Sequence, residues 1–124
     1  MVLLTAAASA APLDSAERGR VTYLRYCASC HGVHGDGRGP VARALTFRPA
    51  DLRELSRRYG SPLDPERLAA VIDGRTEVEA HGERDMPVWG ERFDLPPDDV
   101  SRERAITQHI AELRAYLETI QRQD

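Results

Sequence analysis

Cys27-Ala28-Ser29-Cys30-His31 is the stretch on which the reading of this 124-residue chain turns. Cys27 and Cys30 are its two cysteines. Two residues three apart on a helix lie on one face. A C-x-x-C-H run is an attachment sequence for c-type haem. Each sulfur is placed to form a thioether with one of the two haem vinyl groups, and His31 then reaches the iron from one side of the ring. Covalent bonds of this kind hold the cofactor even if an axial ligand is lost. Three rival readings fit less well. A structural disulfide needs no His, and a two-residue spacer makes a tight, reducible loop. A thioredoxin-like site wants a strand leading into a helix, and no such context is found. A zinc site wants four ligands, so His34, His81 or His109 would have to join the two cysteines and His31.

Outward from the motif, the chain reads as four helices joined by Gly- and Pro-rich loops, with no convincing alternating strand. The first helix is predicted from about Asp14, where Glu17 three residues on completes a capping-box pattern, through to Cys30. The second is predicted from near Pro49, as a first helical residue, to Gly60. The third runs from Asp64, followed by Pro65, to Gly74. The last begins near Asp98 and continues to about Arg122. Its apolar residues Ile106, Ile110, Leu113, Leu117 and Ile120 are spaced four, three, four and three, which makes one buried stripe. Two long loops remain, His31–Thr46 and Gly74–Pro97. In a helical chain of this size they imply function, or something central for them to wrap.

Composition narrows the class. The length fits one domain, taken as residues 13–124. Aromatics are only 6% of the chain, so a large apolar cofactor would supply core volume that the side chains lack. The formal net charge of -3 excludes a generally basic nucleic-acid binder. All 17 cationic side chains are Arg. Any cationic docking patch is therefore an arginine patch, suited to bidentate carboxylate contacts. The charge is uneven. Asp14–Gly60 holds nine Arg against five acids, whereas Ser61–Asp124 holds eight Arg against fifteen acids. That split is either a solvated mixed surface or a dipole that orients the protein against a partner. Residues 1–12 carry a short apolar run and an A-x-A-like site at Ala8-Ser9-Ala10. They read as the remnant of a secretory signal peptide or as a disordered N-terminus. The run is too short for an integral membrane span.

His31 leaves one axial position on the iron open. Met86, followed by Pro87 in the second long loop, is the expected sixth ligand, and His81 is its competitor. A lone loop Met is otherwise core filler. His34 lies too close to His31 to reach the opposite haem face, and His109, off the apolar stripe, is expected to be solvated. Buried haem propionates need donors, for which Arg43, Arg48 and the Trp89 indole are candidates. Tyr23 and Tyr26 are placed to pack near the ring edge.

Taken together, Gly19-x-x-x-Tyr23-x-x-x-Cys27, the Cys27–His31 run, the Gly-rich turn to Pro40, Met86-Pro87 and the final Leu113-Arg-Ala-Tyr116-Leu117 resemble a monohaem class I c-type cytochrome. The resemblance covers nearly the whole chain after the N-terminal segment. It implies an all-α class I cytochrome c fold, with N- and C-terminal helices crossing at Gly19 and Tyr116 and the chain wrapped around one covalent haem c. It implies His31 and Met86 as iron ligands, and a Pro carbonyl, here Pro40, as acceptor for the His31 ring N–H. A closed His/Met iron suits a bacterial, exported, periplasmic electron carrier rather than an enzyme. The partners would be redox proteins, a membrane oxidoreductase complex or a periplasmic dehydrogenase. The alternatives are a haem subunit docked to a periplasmic dehydrogenase or terminal oxidase, or a peroxidase or gas sensor with a labile sixth ligand.

Overall fold

A computed structural model describes residues 12–74, 86, 87, 89–91 and 93–123. Residues 1–11, with the A-x-A-like site, and His81 lie outside the described residues. All regular structure among the described residues is helical, as the fold class requires.

Helix α1 spans Ser15–Tyr26, and the Asp14 carboxylate caps it by accepting from the Glu17 N–H at 2.9 Å. The sequence predicts one helix running on to Cys30. The structure instead turns at Cys27 and restarts as α2, Ala28–His31. Hydrogen bonding carries across the break, because His31 N–H donates to the Cys27 carbonyl at 2.9 Å. A short 3-10 turn at Ala42–Ala44 interrupts the first long loop.

The second predicted helix is corrected at its start. Pro49 is in irregular chain, not at a first helical position, and Asp51 makes the cap. A 3-10 turn, Leu52–Glu54, then leads into α3, Leu55–Tyr59. Asp51 wins because its carboxylate accepts from the Arg53 N–H and also grips the Arg53 guanidinium at 2.9 and 2.7 Å. Helix α4, Pro65–Asp73, starts as the sequence predicts. Asp64 accepts from the Glu66 and Arg67 N–H groups, Pro65 fills the first turn, and Gly74 ends the helix in the left-handed region. Helix α5, Asp99–Thr119, is capped by Asp98 and stops three residues before the predicted end.

The core forms where α1 crosses α5. Tyr23, Ile106, Leu113 and Leu117 are almost wholly buried there. The crossing is close because Gly19 has no side chain. A Cβ at that position would lie 1.8 Å from the Glu112 carbonyl oxygen. Tyr116 fills the space alongside, its ring 5.1 Å from Tyr23. Around this axis the buried Glu112 carboxylate pairs with Arg18 at 2.8 Å. Gln121 ties the end of α5 to the 3-10 turn before α3. It accepts from Ser56 N–H at 2.8 Å and donates to the Leu52 carbonyl at 2.8 Å.

Candidate functional site

The break at Cys27 sets the geometry of the attachment motif. Cys27 is half-buried at the end of α1, while Cys30 and His31 lie on the separate turn α2. Neither sulfur is bonded to the other. Burial, reinforced by the neighbouring Cys30, pushes the Cys27 thiol up to about 12, so it stays protonated at neutral pH.

His31 is oriented from behind. Its Nδ1 lies 3.0 Å from the Ala50 carbonyl. A carbonyl only accepts, so Nδ1 carries the proton and Nε2 keeps its lone pair. Burial pushes the His31 ring below its usual range and outweighs the opposing pull of the Ala50 carbonyl. The ring is thereby held neutral, which is the state that ligates a metal.

The acceptor corrects the expectation placed on Pro40. Pro40 is exposed, and the loop travels on another ten residues before it returns beneath His31 at Ala50. Gly37 allows that return. It has φ 77°, and a Cβ there would sit 2.4 Å from the Pro49 carbonyl oxygen. The residue just before Ala50 is also a proline, Pro49, which the sequence reading takes as a helix start and not as part of the loop behind His31.

One cleft opens between α1, α4 and α5. Tyr23, Cys27, His31 and Met86 line it together, which joins four of the sequence-predicted site residues. Its remaining wall is largely aliphatic, with Leu52, Leu55, Leu63, Leu68, Ile72, Leu113 and Leu117. Tyr23 is also fixed from its far end, where its hydroxyl donates to the Gly32 carbonyl at 2.5 Å. Sequence reasoning overlooked the leucines of the 3-10 turn and α3. Their spacing is too short to show a helical stripe.

Five predicted site residues do not line this cleft, Cys30 on α2 among them. Arg43 and Arg48 are exposed. Arg48 instead borders a polar recess on the far side of Ala50, with Arg38 and Arg58. Pro40 is exposed, as above. Trp89 packs against Tyr26 and Phe93, at 5.7 and 6.4 Å between ring centroids. Tyr26 belongs to this aromatic cluster rather than to the cleft, and its hydroxyl accepts from the Asp94 N–H at 3.2 Å. His109, expected to be solvated, also joins the cluster. Its ring is 5.1 Å from Phe93 and its Nδ1 is buried. Periodicity placed His109 off the stripe of α5 but did not foresee that a loop would cover that flank.

The donor set fits a haem. One free thiol, one neutral imidazole held from behind and one thioether share an apolar cleft, and the second free thiol, Cys30, stands on the adjoining turn α2. Among the described residues no group of three or more His, Cys, Asp or Glu side chains is arranged to hold a metal ion directly. The zinc reading therefore gains nothing from the structure. No helix among the described residues is long and apolar enough to cross a membrane.

A family model described as cytochrome C oxidase, cbb3-type, subunit III matches residues 14–110. No curated protein and no solved structure matches the chain.

Proposed function

The chain belongs to the cytochrome c family described as cbb3-type oxidase subunit III, a c-type haem electron-transfer family, and from that premise we propose a single covalent haem c at the Cys27–Met86 cleft. Cys27 and Cys30 are its two tethers, His31 and Met86 its axial ligands, and Tyr23 part of its wall. Residues 13–124 form the haem domain. The observation that carries this reading is the convergence of Cys27, His31 and Met86 on one apolar cleft, with the His31 ring already locked in the ligating tautomer.

A haem held there supplies one-electron iron chemistry. The protein tunes it in three ways. The Nδ1–H bond to Ala50 fixes the His31 ring plane and raises its basicity. The soft Met86 thioether would favour ferrous iron and raise the potential relative to two nitrogen ligands. The leucine and isoleucine wall excludes water and lowers the local dielectric. With His31 and Met86 both holding the iron, the site would suit outer-sphere electron transfer rather than turnover of a substrate.

The family description favours a haem subunit docked in an oxidase complex over a freely diffusing carrier. The Ala8-Ser9-Ala10 site and the haem chemistry support export to a bacterial periplasm. The test is covalent haem itself. The protein is expressed with the haem-attachment machinery, denatured and extracted with acidified acetone, and its pyridine haemochrome is then read. Retained haem at one per chain supports the proposal. Haem that extracts freely, or none at all, overturns it.

A further inference from the structure

We propose that the segment Val41–Arg48 is the face on which a redox protein with a carboxylate-rimmed apolar patch docks, an inference that rests on the haem reading above. The segment is fastened to the attachment motif by backbone hydrogen bonds. Val41, its first residue, donates its N–H to the Ser29 carbonyl, and Gly39, two residues before it, to the Cys30 carbonyl, both at 3.0 Å. A partner that covers the Val41 end of this segment therefore lies beside Cys30.

Its side chains have the character of an interface. Val41, Leu45 and Phe47 are 42%, 41% and 63% exposed within seven residues of chain. Large apolar side chains concentrated in this way, next to a functional site, mark a surface that a partner covers. Arg43 and Arg48 are exposed between and beside them, and Val41–Arg48 contains no acid. Among the described residues neither guanidinium is in an ion pair. By contrast Arg18, Arg53, Arg57 and Arg122 are each matched to a carboxylate within 3.1 Å. Arg43 and Arg48 thus flank apolar groups on a segment that starts beside the attachment motif.

Charge complementarity identifies the partner's chemistry. Arginine forks match carboxylates bidentately, so an apolar patch rimmed by Asp and Glu fits this face. The electrostatic term steers approach and fixes orientation, and the apolar contact excludes water at the transfer edge. An anionic bilayer is the weaker match. Stable attachment to lipid needs a polybasic cluster or a long amphipathic face, and here two cations sit on a chain of net charge -3.

The test uses the haem-loaded protein on gold coated with a mixed monolayer of carboxylate- and methyl-ended thiols, at low ionic strength. Adsorbed mass is read by surface plasmon resonance and electron exchange by voltammetry on the same film. Wild type is expected to adsorb and exchange electrons. R43E/R48E should lose at least tenfold in adsorbed mass and L45S/F47S at least threefold. The control R20E/R104E, the same charge change on exposed positions of α1 and α5, should keep more than half. An unchanged R43E/R48E, or a control that falls equally, overturns the proposal. So does stronger co-sedimentation with phosphatidylglycerol vesicles than adsorption to the monolayer. Adsorption that follows this pattern without any current would instead count against the haem reading and leave the docking face standing.

Discussion

Replacing Gly19 with Ala adds one methyl group at the point where α1 and α5 touch. The new Cβ would lie 1.8 Å from the Glu112 carbonyl oxygen, 2.5 Å from its carbonyl carbon and 3.0 Å from the Tyr116 Cβ. The first two obstacles are helix backbone and cannot swing aside, so the helices must part by more than about 1 Å to restore ordinary contact. Overpacking of a well-filled core costs about 1–3 kcal/mol, and a backbone obstacle puts this site at the upper end. Ala in place of Gly inside a helix returns about 1 kcal/mol. The net loss is about 2 kcal/mol. With a urea slope of about 2 kcal/mol/M, that lowers the denaturation midpoint by about 1 M. The assay is urea unfolding of the haem-loaded protein followed by far-ultraviolet circular dichroism. Because Leu113 and Leu117 line the cleft and ride on α5, the ferric haem spectrum of G19A should also shift. A G19A midpoint at or above wild type would refute the close-crossing argument, since propensity alone would then have won.

Tyr23→Phe removes the donor to the buried Gly32 carbonyl while keeping the ring against Tyr116, so it should cost about 1–2 kcal/mol in urea unfolding with little change in the haem spectrum. Glu112→Ala strips Arg18 of its partner. Arg18 is 43% exposed and can rehydrate, so the loss should stay near 1–2 kcal/mol, and a loss beyond about 4 would show that the pair is drier than it looks. The Arg53 guanidinium holds the Asp51 carboxyl down at about 2, against an ordinary value of 3.8. A depressed carboxyl stabilises the fold above its unfolded pKa and ceases to do so as pH falls through its folded one. Asp51→Asn should therefore have a lower urea midpoint than wild type above pH 5, and the gap should close between about pH 4 and pH 2. A gap that is constant across that range would mean that Asp51 acts only as a cap.

The legible parts of the fold were those carried by local chemistry. Asp14, Asp64 and Asp98 each cap a helix where the sequence predicts a start, because a carboxylate bonding the N–H two or three residues on needs nothing distant. The stripe from Ile106 to Leu117 is buried as its spacing predicts. Gly19 and Tyr116 meet as the family resemblance implies. Pro49 misled, since it satisfies the rule for a first helical residue, but Asp51 two positions later forms the stronger cap. The break at Cys27 leaves no trace in the sequence, because Tyr26, Cys27 and Ala28 violate no helix rule.

At the site, the residues that are chemistry in themselves were legible. Cys27, Cys30, His31 and Met86 stand out by type and spacing, and three of them share the cleft with Tyr23. The residues that act through backbone were not. Ala50 serves His31 by its carbonyl, which every residue has, so only the path of the loop could single it out. Arg43, Arg48 and Trp89 were nominated by side-chain type, and their positions depend on how two loops fold around distant helices. Trp89 goes to an aromatic cluster with Tyr26 and Phe93, and the two arginines face solvent.

The most direct test of a closed His31/Met86 iron is the visible and near-infrared spectrum of the ferric protein, recorded for wild type and Met86→Ala at equal haem content. Low-spin bands with a weak sulfur-to-iron charge-transfer band in wild type, lost in Met86→Ala with a fall in reduction potential, are the expected result. A high-spin wild-type spectrum, or a charge-transfer band that survives the substitution, would contradict the account.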